Sequence, residues 1–202
     1  MNKELIVRRL KDLADVNKIT FEDEVLNRAV ELARFKVCPK GVIIKSIGDK
    51  ADSVAIILDG LVRGYYIDAD GNDISRGFAS NGGLCMDESV MGYSEYICMW
   101  ETLEESTLML FDVQDFKLLI MSREDLKTLW IQLLEGGLRY KMYRENGFLV
   151  ETATERYLHF KRLYPKLCER IPQKHIATYL GIAPESLSRI RKAMKEEEWL
   201  ST

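Results

Sequence analysis

Residues 173–192, reading QKHIATYLGIAPESLSRIRK, constrain the chain most, because within that stretch two short helices meet at a glycine. Ile176 and Leu180 share one face of a first helix at spacing four. Leu187, Ile190 and Met194 share one face of a second at spacings three and four, so each helix has one side to bury. Ala177 lets two helix backbones approach closely, and Gly181 stands where the turn needs a residue that accepts positive φ. Pro172 and Pro184 each read as opening a helix, where the N–H that proline lacks would be unpaired anyway. The pattern is the sequence form of a helix-turn-helix and points to DNA.

With Leu187, Ile190 and Met194 facing inward, the second helix presents Glu185, Arg189 and Lys192, flanked by Ser186 and Ser188. Arginine can bond a guanine edge through two N–H groups, glutamate can accept from the cytosine amino group, and serine can meet phosphate or base. Gln173 and Lys174 open the first helix, whose N-terminal dipole favours phosphate. The competing reading is a plain surface ion pair between Glu185 and Arg189, worth about 0.2–0.5 kcal/mol to the helix.

Overall charge argues mildly against DNA, since 29 Lys and Arg face 32 Asp and Glu. The distribution reverses that. From Arg156 to Lys195 there are ten basic residues (Arg156, Lys161, Arg162, Lys166, Arg170, Lys174, Arg189, Arg191, Lys192, Lys195) against Glu169 and Glu185, a local balance of +8. A basic stretch of this kind supports the counterion release that drives DNA binding.

The preceding residues supply a larger domain. The chain has 202 residues, 47% of them hydrophobic, enough for one large and one small domain. No apolar leader region and no run near the roughly 18 apolar residues of a membrane span is visible, so a cytoplasmic protein with no membrane partner is expected. Cys38, Cys85, Cys98 and Cys168 form no CxxC or Cys/His cluster, so neither zinc nor iron–sulfur is indicated and the thiols read as small buried hydrophobes. His159 and His175 read as surface or packing residues, not ligands.

Helical periodicity covers 3–16 and 21–35, ending at Pro39-Lys40-Gly41. Segments 42–47, 53–59, 61–68, 73–79 and 107–112 read as strands separated by Gly48-Asp49, Asp59-Gly60 and a turn over 68–72, a spacing that suggests a rolled antiparallel sheet. A helical tract then runs to about Val150, interrupted near Ser122 and at Gly136-Gly137. Its apolar residues, among them Leu126, Leu129, Trp130, Leu133, Leu134 and Leu138, cover more than one face, as in a helix that packs against the sheet and a second subunit or, alternatively, one buried within a single monomer.

In this order, SVAIILDGLVRGYYIDADGND, the long helix, ATERYLHFKRLYP and HIATYLGIAPESLSRIRK resemble the Crp/Fnr family of bacterial transcription regulators over nearly the whole chain. The resemblance implies an α+β fold: a cyclic-nucleotide-binding-like antiparallel β-roll (a double-stranded β-helix) with N-terminal helices over 1–112, a connector and dimerisation helix over 113–150, and a helix-turn-helix over 151–202. It further implies a homodimer on double-stranded DNA with a pseudo-palindromic operator, and RNA polymerase as a candidate partner. The base-reading positions carry over to Pro184, Glu185 and Arg189, with proline standing where some members have a base-contacting arginine.

Two further departures stand out. Cyclic-nucleotide-binding members hold the phosphate with a cassette of Gly-Glu and a later arginine followed by Ser or Thr. Here NGGLCMDESVMGYSEYICMWETLE has no such arginine, and between Arg76 and Lys117 there are eight acidic residues and no basic one. A buried phosphate would lack a cationic partner from this segment, so cAMP and cGMP are not expected to bind in the family manner. No cofactor is evident, and any small-molecule effector is unspecified. After Lys195 only EEEWLST follows, too short for a full β-hairpin wing, with Trp199 and Leu200 free to pack back on the motif. The alternative readings are a ligand-binding module whose helix pair binds protein, and an enzyme using the roll cavity. The second lacks the clustered histidine and carboxylate ligands that jelly-roll metalloenzymes need.

Overall fold

A computed structural model of the chain describes residues 3–16 and 20–200. Among the described residues, seven helices and eight strands follow one another: α1 (Lys3–Val16), α2 (Asp23–Leu32), β1 (Arg34–Cys38), β2 (Ile43–Lys45), β3 (Ser53–Asp59), β4 (Leu61–Ile67), β5 (Asp73–Ser80), β6 (Leu84–Cys85), β7 (Met99–Thr102), β8 (Ser106–Asp112), α3 (Val113–Met121), α4 (Glu124–Val150), α5 (Ala153–Leu163), α6 (Gln173–Leu180) and α7 (Pro184–Leu200). They form two compact units, Met1–Ile67 with Arg76–Trp130, and Asp68–Ser75 with Ile131–Thr202.

The first unit is built on two four-stranded sheets, ordered β1-β8-β3-β6 and β2-β7-β4-β5. The pairs of β8 with β1 and β3, of β7 with β2 and β4, and of β3 with β6 are antiparallel. Alternation along the central strands sorts the core into two layers. Ala55, Ile57 and Leu108 point between the sheets and join Val62, Cys98 and Trp100. Val54, Leu58, Met109 and Phe111 point the other way and pack with Ile6, Phe116 and Ile120 from α1 and α3. Strands β3 and β8 are therefore covered on both faces, which is why β3 reads as a continuous apolar run. At the β3–β4 corner Gly60 has φ 108°, and a Cβ there would collide with Ser106.

Three local expectations need correction. The second helix ends at Leu32, and Arg34 and Phe35 belong to β1, which is zipped onto β8 from Arg34↔Leu110 to Cys38↔Ser106. Short strands β6 and β7 were hidden in the acidic segment. Gly136 and Gly137 do not interrupt the helical tract, because α4 runs unbroken through both; the break expected near Ser122 is there, between Met121 and Glu124.

In the second unit, α5 begins with a capping box: the Thr152 hydroxyl accepts from the Glu155 N–H while the Glu155 carboxylate accepts from the Thr152 N–H. Phe160, Tyr179, Ile176, Leu180 and Leu187 are buried, with the Phe160 and Tyr179 rings 5.2 Å apart edge to face. Among the described residues no helix is long and apolar enough to cross a membrane.

Candidate nucleic-acid interface

The expected helix pair forms, and its corner is closed by backbone geometry. Gly181 takes φ 67°, the left-handed region, and its N–H bonds the Thr178 carbonyl while the Ile182 N–H bonds Ala177. These two bonds are the crossed pair of a Schellman cap, which only a residue tolerant of positive φ supports cheaply. Pro172 stands one residue before α6 as its cap, not as its first helical residue, whereas Pro184 does open α7.

Each residue expected to meet DNA sits on one of these two helices. Gln173 and Lys174 are exposed on the first turn of α6, and Pro184 and Glu185 on the first turn of α7. Leu187 is fully buried, with Ile190 and Met194 half-buried beside it. At 3.6 residues per turn, Glu185, Ser188, Arg189 and Lys192 fall within an arc of about 100° opposite Leu187, and all four are exposed. Ser186 lies to the side, half-buried, and accepts a long 3.5 Å contact from Arg189. Among the described residues no ion pair joins Glu185 to Arg189; Lys192 instead lies 3.9 Å from Glu196. The side chains of Trp199 and Leu200 fall outside those described, and among the described residues no strand follows α7.

The basic surface is smaller than the charge count implied. Arg156 turns inward, its Nε donating to the Leu180 carbonyl at 3.1 Å and its Nη1 to the Glu151 carbonyl at 2.6 Å. Arg144 of α4 donates to the Tyr179 carbonyl at 2.9 Å and lies 4.1 Å above the Tyr179 ring. The last carbonyls of α6 are thus all answered: Ala177 and Thr178 by the cap, Tyr179 and Leu180 by two arginines at the negative end of the helix dipole. Burial, with Tyr140 alongside, pushes the Tyr179 phenol well above its ordinary range. His175 is buried and packs, while the half-buried His159 bonds Glu151 at 3.0 Å.

On the opposite side of α4, Ile131, Leu134, Leu138, Met142 and Leu149 recur at spacings of three, four and seven, each 38% to 77% exposed. Their 3.6-residue period leaves an apolar stripe facing away from the side that carries Tyr140, Arg144 and Phe148.

The roll interior holds a polar cluster that the sequence did not announce. Arg76 from β5 reaches Asp87 through both nitrogens, at 2.7 and 2.6 Å, and lies 3.8 Å from Glu88. Glu88, 2% exposed, accepts from the Cys98 thiol at 2.7 Å and the Trp100 indole at 3.1 Å. Burial alone would lower the Arg76 pKa, yet the bonds to Asp87 more than reverse this and hold it charged. The preceding Met86 has φ 61°, a strained conformation for a buried non-glycine residue. Among the described residues no group of three or more His, Cys, Asp or Glu is arranged to hold a metal ion.

Residues 35–123 match the family of cyclic nucleotide-binding domains. FixK2 from Bradyrhizobium japonicum superposes with a TM-score of 0.71 at 18% identity, covering 82% of this chain and 86% of that one. CLP, the c-di-GMP responsive global regulator of Xanthomonas campestris, gives 0.69 at 14% identity, covering 88% and 93%. A regulator assigned to the Crp/Fnr family from Eubacterium rectale gives 0.64 at 14% identity, covering 88% and 85%. The fold is that of the Crp/Fnr regulators. No curated protein matches the chain in sequence.

Within this Crp/Fnr fold the chain's own residues decide the chemistry. The acidic segment does lack a cation of its own, but Arg76 lies just before it in sequence and has folded into it. Its position as the last basic residue before the acidic run was the available signal. Arg144 gave none, since its partner lies 35 residues away.

Proposed function

We propose that the chain is a dimeric, sequence-specific DNA-binding transcription regulator whose sensor takes neither cAMP nor cGMP in the usual way. The observation that carries this reading is the exposed arc of Glu185, Ser188, Arg189 and Lys192 at the start of α7, backed by buried Leu187 and free of an internal Glu185–Arg189 pair. In this reading α6 and α7 are a helix-turn-helix. Helix α7 enters the major groove, Arg189 and Glu185 meet base edges, Ser186 and Ser188 flank them, and Gln173 and Lys174 hold phosphate. The basic, solvent-facing residues that remain after Arg156 is discounted, among them Arg162, Lys166, Arg170 and Lys174, supply the nonspecific part of the affinity.

The apolar stripe of α4 is the dimer face. Two copies paired along it place their α7 helices about 34–36 Å apart on successive major grooves, so the operator is a pseudo-palindrome. The sensor comprises residues 1–112, the connector and dimer helix 113–150, and the reader 151–202. The sensor differs from a nucleotide receptor because Arg76, the cation nearest the acidic segment, already has its carboxylate partner. The protein works in the cytoplasm, where its DNA is.

The test is selection from a random duplex library, followed by titration at rising salt. A pseudo-palindromic consensus is expected, with log affinity falling linearly against log salt. Binding that ignores salt and sequence would reassign the helix pair to a protein partner. Leu138→Glu is expected to convert the dimer to monomer in sedimentation.

A further inference from the structure

We infer that Arg144 is a positioning residue that fixes the reading helices against the dimer helix, so that the protein accepts operator half-sites at a single spacing. The inference rests on the DNA-binding reading above and concerns a residue that touches no DNA.

Three observations converge on it. First, α4 is one unbroken helix from Glu124 to Val150, so the exposed stripe of Leu138, Met142 and Leu149 and the side chain of Arg144 belong to the same rod. Second, Arg144 holds Tyr179 of α6 in two directions at once. Its Nη2 donates to the Tyr179 carbonyl at 2.9 Å, along the α6 axis, and its guanidinium plane covers the Tyr179 ring at 4.1 Å. A planar fork that both bonds and stacks fixes rotation as well as distance, which a point charge does not. The Tyr140 hydroxyl adds a third tie to the Tyr179 hydroxyl at 3.0 Å.

Third, the other ties from α4 are of a different kind: Phe148 lies against Gly181, Tyr143 lies 5.0 Å from the His159 ring, and Tyr140 meets Tyr179 through its hydroxyl. Arg156 grips the Leu180 carbonyl, but it comes from α5, which is joined to α4 through the non-helical residues Glu151 and Thr152. Without Arg144 these contacts and the bonds of Arg156 and His159 to Glu151 would remain, but the hold of α4 on the Tyr179 carbonyl would be lost, and α5, α6 and α7 would turn more freely about that joint. Half-site spacing depends on the angle between dimer helix and reader, so a loosened joint would blur spacing before it harmed recognition of one half-site.

The experiment uses the full chain and a library of duplexes carrying two copies of the selected half-site, separated by spacers that vary in single base pairs. Wild type is expected to enrich one spacing. Arg144→Met should enrich several, weaken binding at the wild-type spacing roughly tenfold, and leave single half-site affinity and its salt slope unchanged. Arg144→Lys keeps the charge without the planar stack and should broaden the spacing to a lesser degree. If Arg144→Met does not fold, Arg144→Lys decides alone. A wild-type spacing profile in whichever folded variant is read overturns the inference. Wild type that selects no duplex would remove the DNA-binding reading, and this inference with it.

Discussion

Arg76 and Asp87 face each other as fork to fork, Nη1 on Oδ1 at 2.7 Å and Nη2 on Oδ2 at 2.6 Å. A phosphate entering the roll would have to displace a carboxylate from the arginine it needs. Calorimetry with cAMP is therefore expected to give no binding heat at micromolar concentrations. Asp87→Asn should lower unfolding stability in urea by about 1.5–3 kcal/mol, the range for hydrogen bonds to charged groups. An unchanged urea midpoint would show that the pair contributes nothing to the fold.

Recognition and grip should separate on α6 and α7. Arg189→Ala is expected to cost about 1–3 kcal/mol on the selected operator and relax base preference at one position. Lys174→Ala should weaken all duplexes alike and reduce the salt slope by about 1. Unchanged operator selection by Arg189→Ala would remove Arg189 from the base-reading set.

Gly181 combines a positive φ with a close neighbour. A Cβ there would sit 2.9 Å from Cε1 of Phe148. Gly181→Ala should cost about 1–2 kcal/mol from the left-handed backbone alone, with the ring contact adding to it. Adding Phe148→Leu should recover the steric share and leave the backbone share, which a double-mutant cycle in denaturant would read.

The four cysteines should differ sharply toward a thiol reagent. Cys38, Cys85 and Cys98 are buried, and Cys168 is partly exposed. Burial pushes the Cys85 thiol up, and burial followed by its bond to Glu88 does the same for Cys98, so both stay protonated and unreactive near neutral pH. Native protein is expected to titrate one thiol quickly with a chromogenic disulfide and three more only on unfolding; fast loss of two or more would contradict the packing.

The hairpin tip should respond to acid. The Asp68 carboxylate accepts from the Asn72 N–H and side-chain amide and from the Asp70 N–H, which holds its pKa below the ordinary 3.8. A depressed carboxylate contributes order that is complete above the unfolded value and lost as pH falls through the folded one. Protection of the Asp70 and Asn72 amides, taken relative to the intrinsic exchange rate at each pH, should therefore hold down to about pH 4 and be lost as pH falls below it. Asp68→Ala should show fast exchange at every pH.

How much was legible follows from how local each signal is. Strand β3 appeared at 53–59 because its apolar run is continuous, and the α6–α7 corner because periodicity, proline and Gly181 coincide within a few residues. Strand β1 did not, since RFKVC is defined by pairing with β8 some seventy residues later. Gly136 and Gly137 looked like a break, yet a cost of about 1 kcal/mol each does not end a helix of this length. In the α6–α7 pair, the outward arc of α7 follows from spacing alone. The inward turn of Arg156 and the grip of Arg144 depend on carbonyls 24 and 35 residues away, and a basic side chain on a helix carries no mark of the backbone it will meet.

Ser75, buried at the foot of the β4–β5 hairpin, shares a 2.8 Å hydroxyl contact with Thr178, while its N–H donates to the same oxygen at 3.3 Å. Hairpin tips are ordinarily where a chain tolerates insertions and fusion tags. This one is spoken for: extra residues spliced in near Gly71 would pull on α6 itself. Anyone labelling the protein should choose another loop, and natural variation in the tip's length should be coupled to changes at position 178.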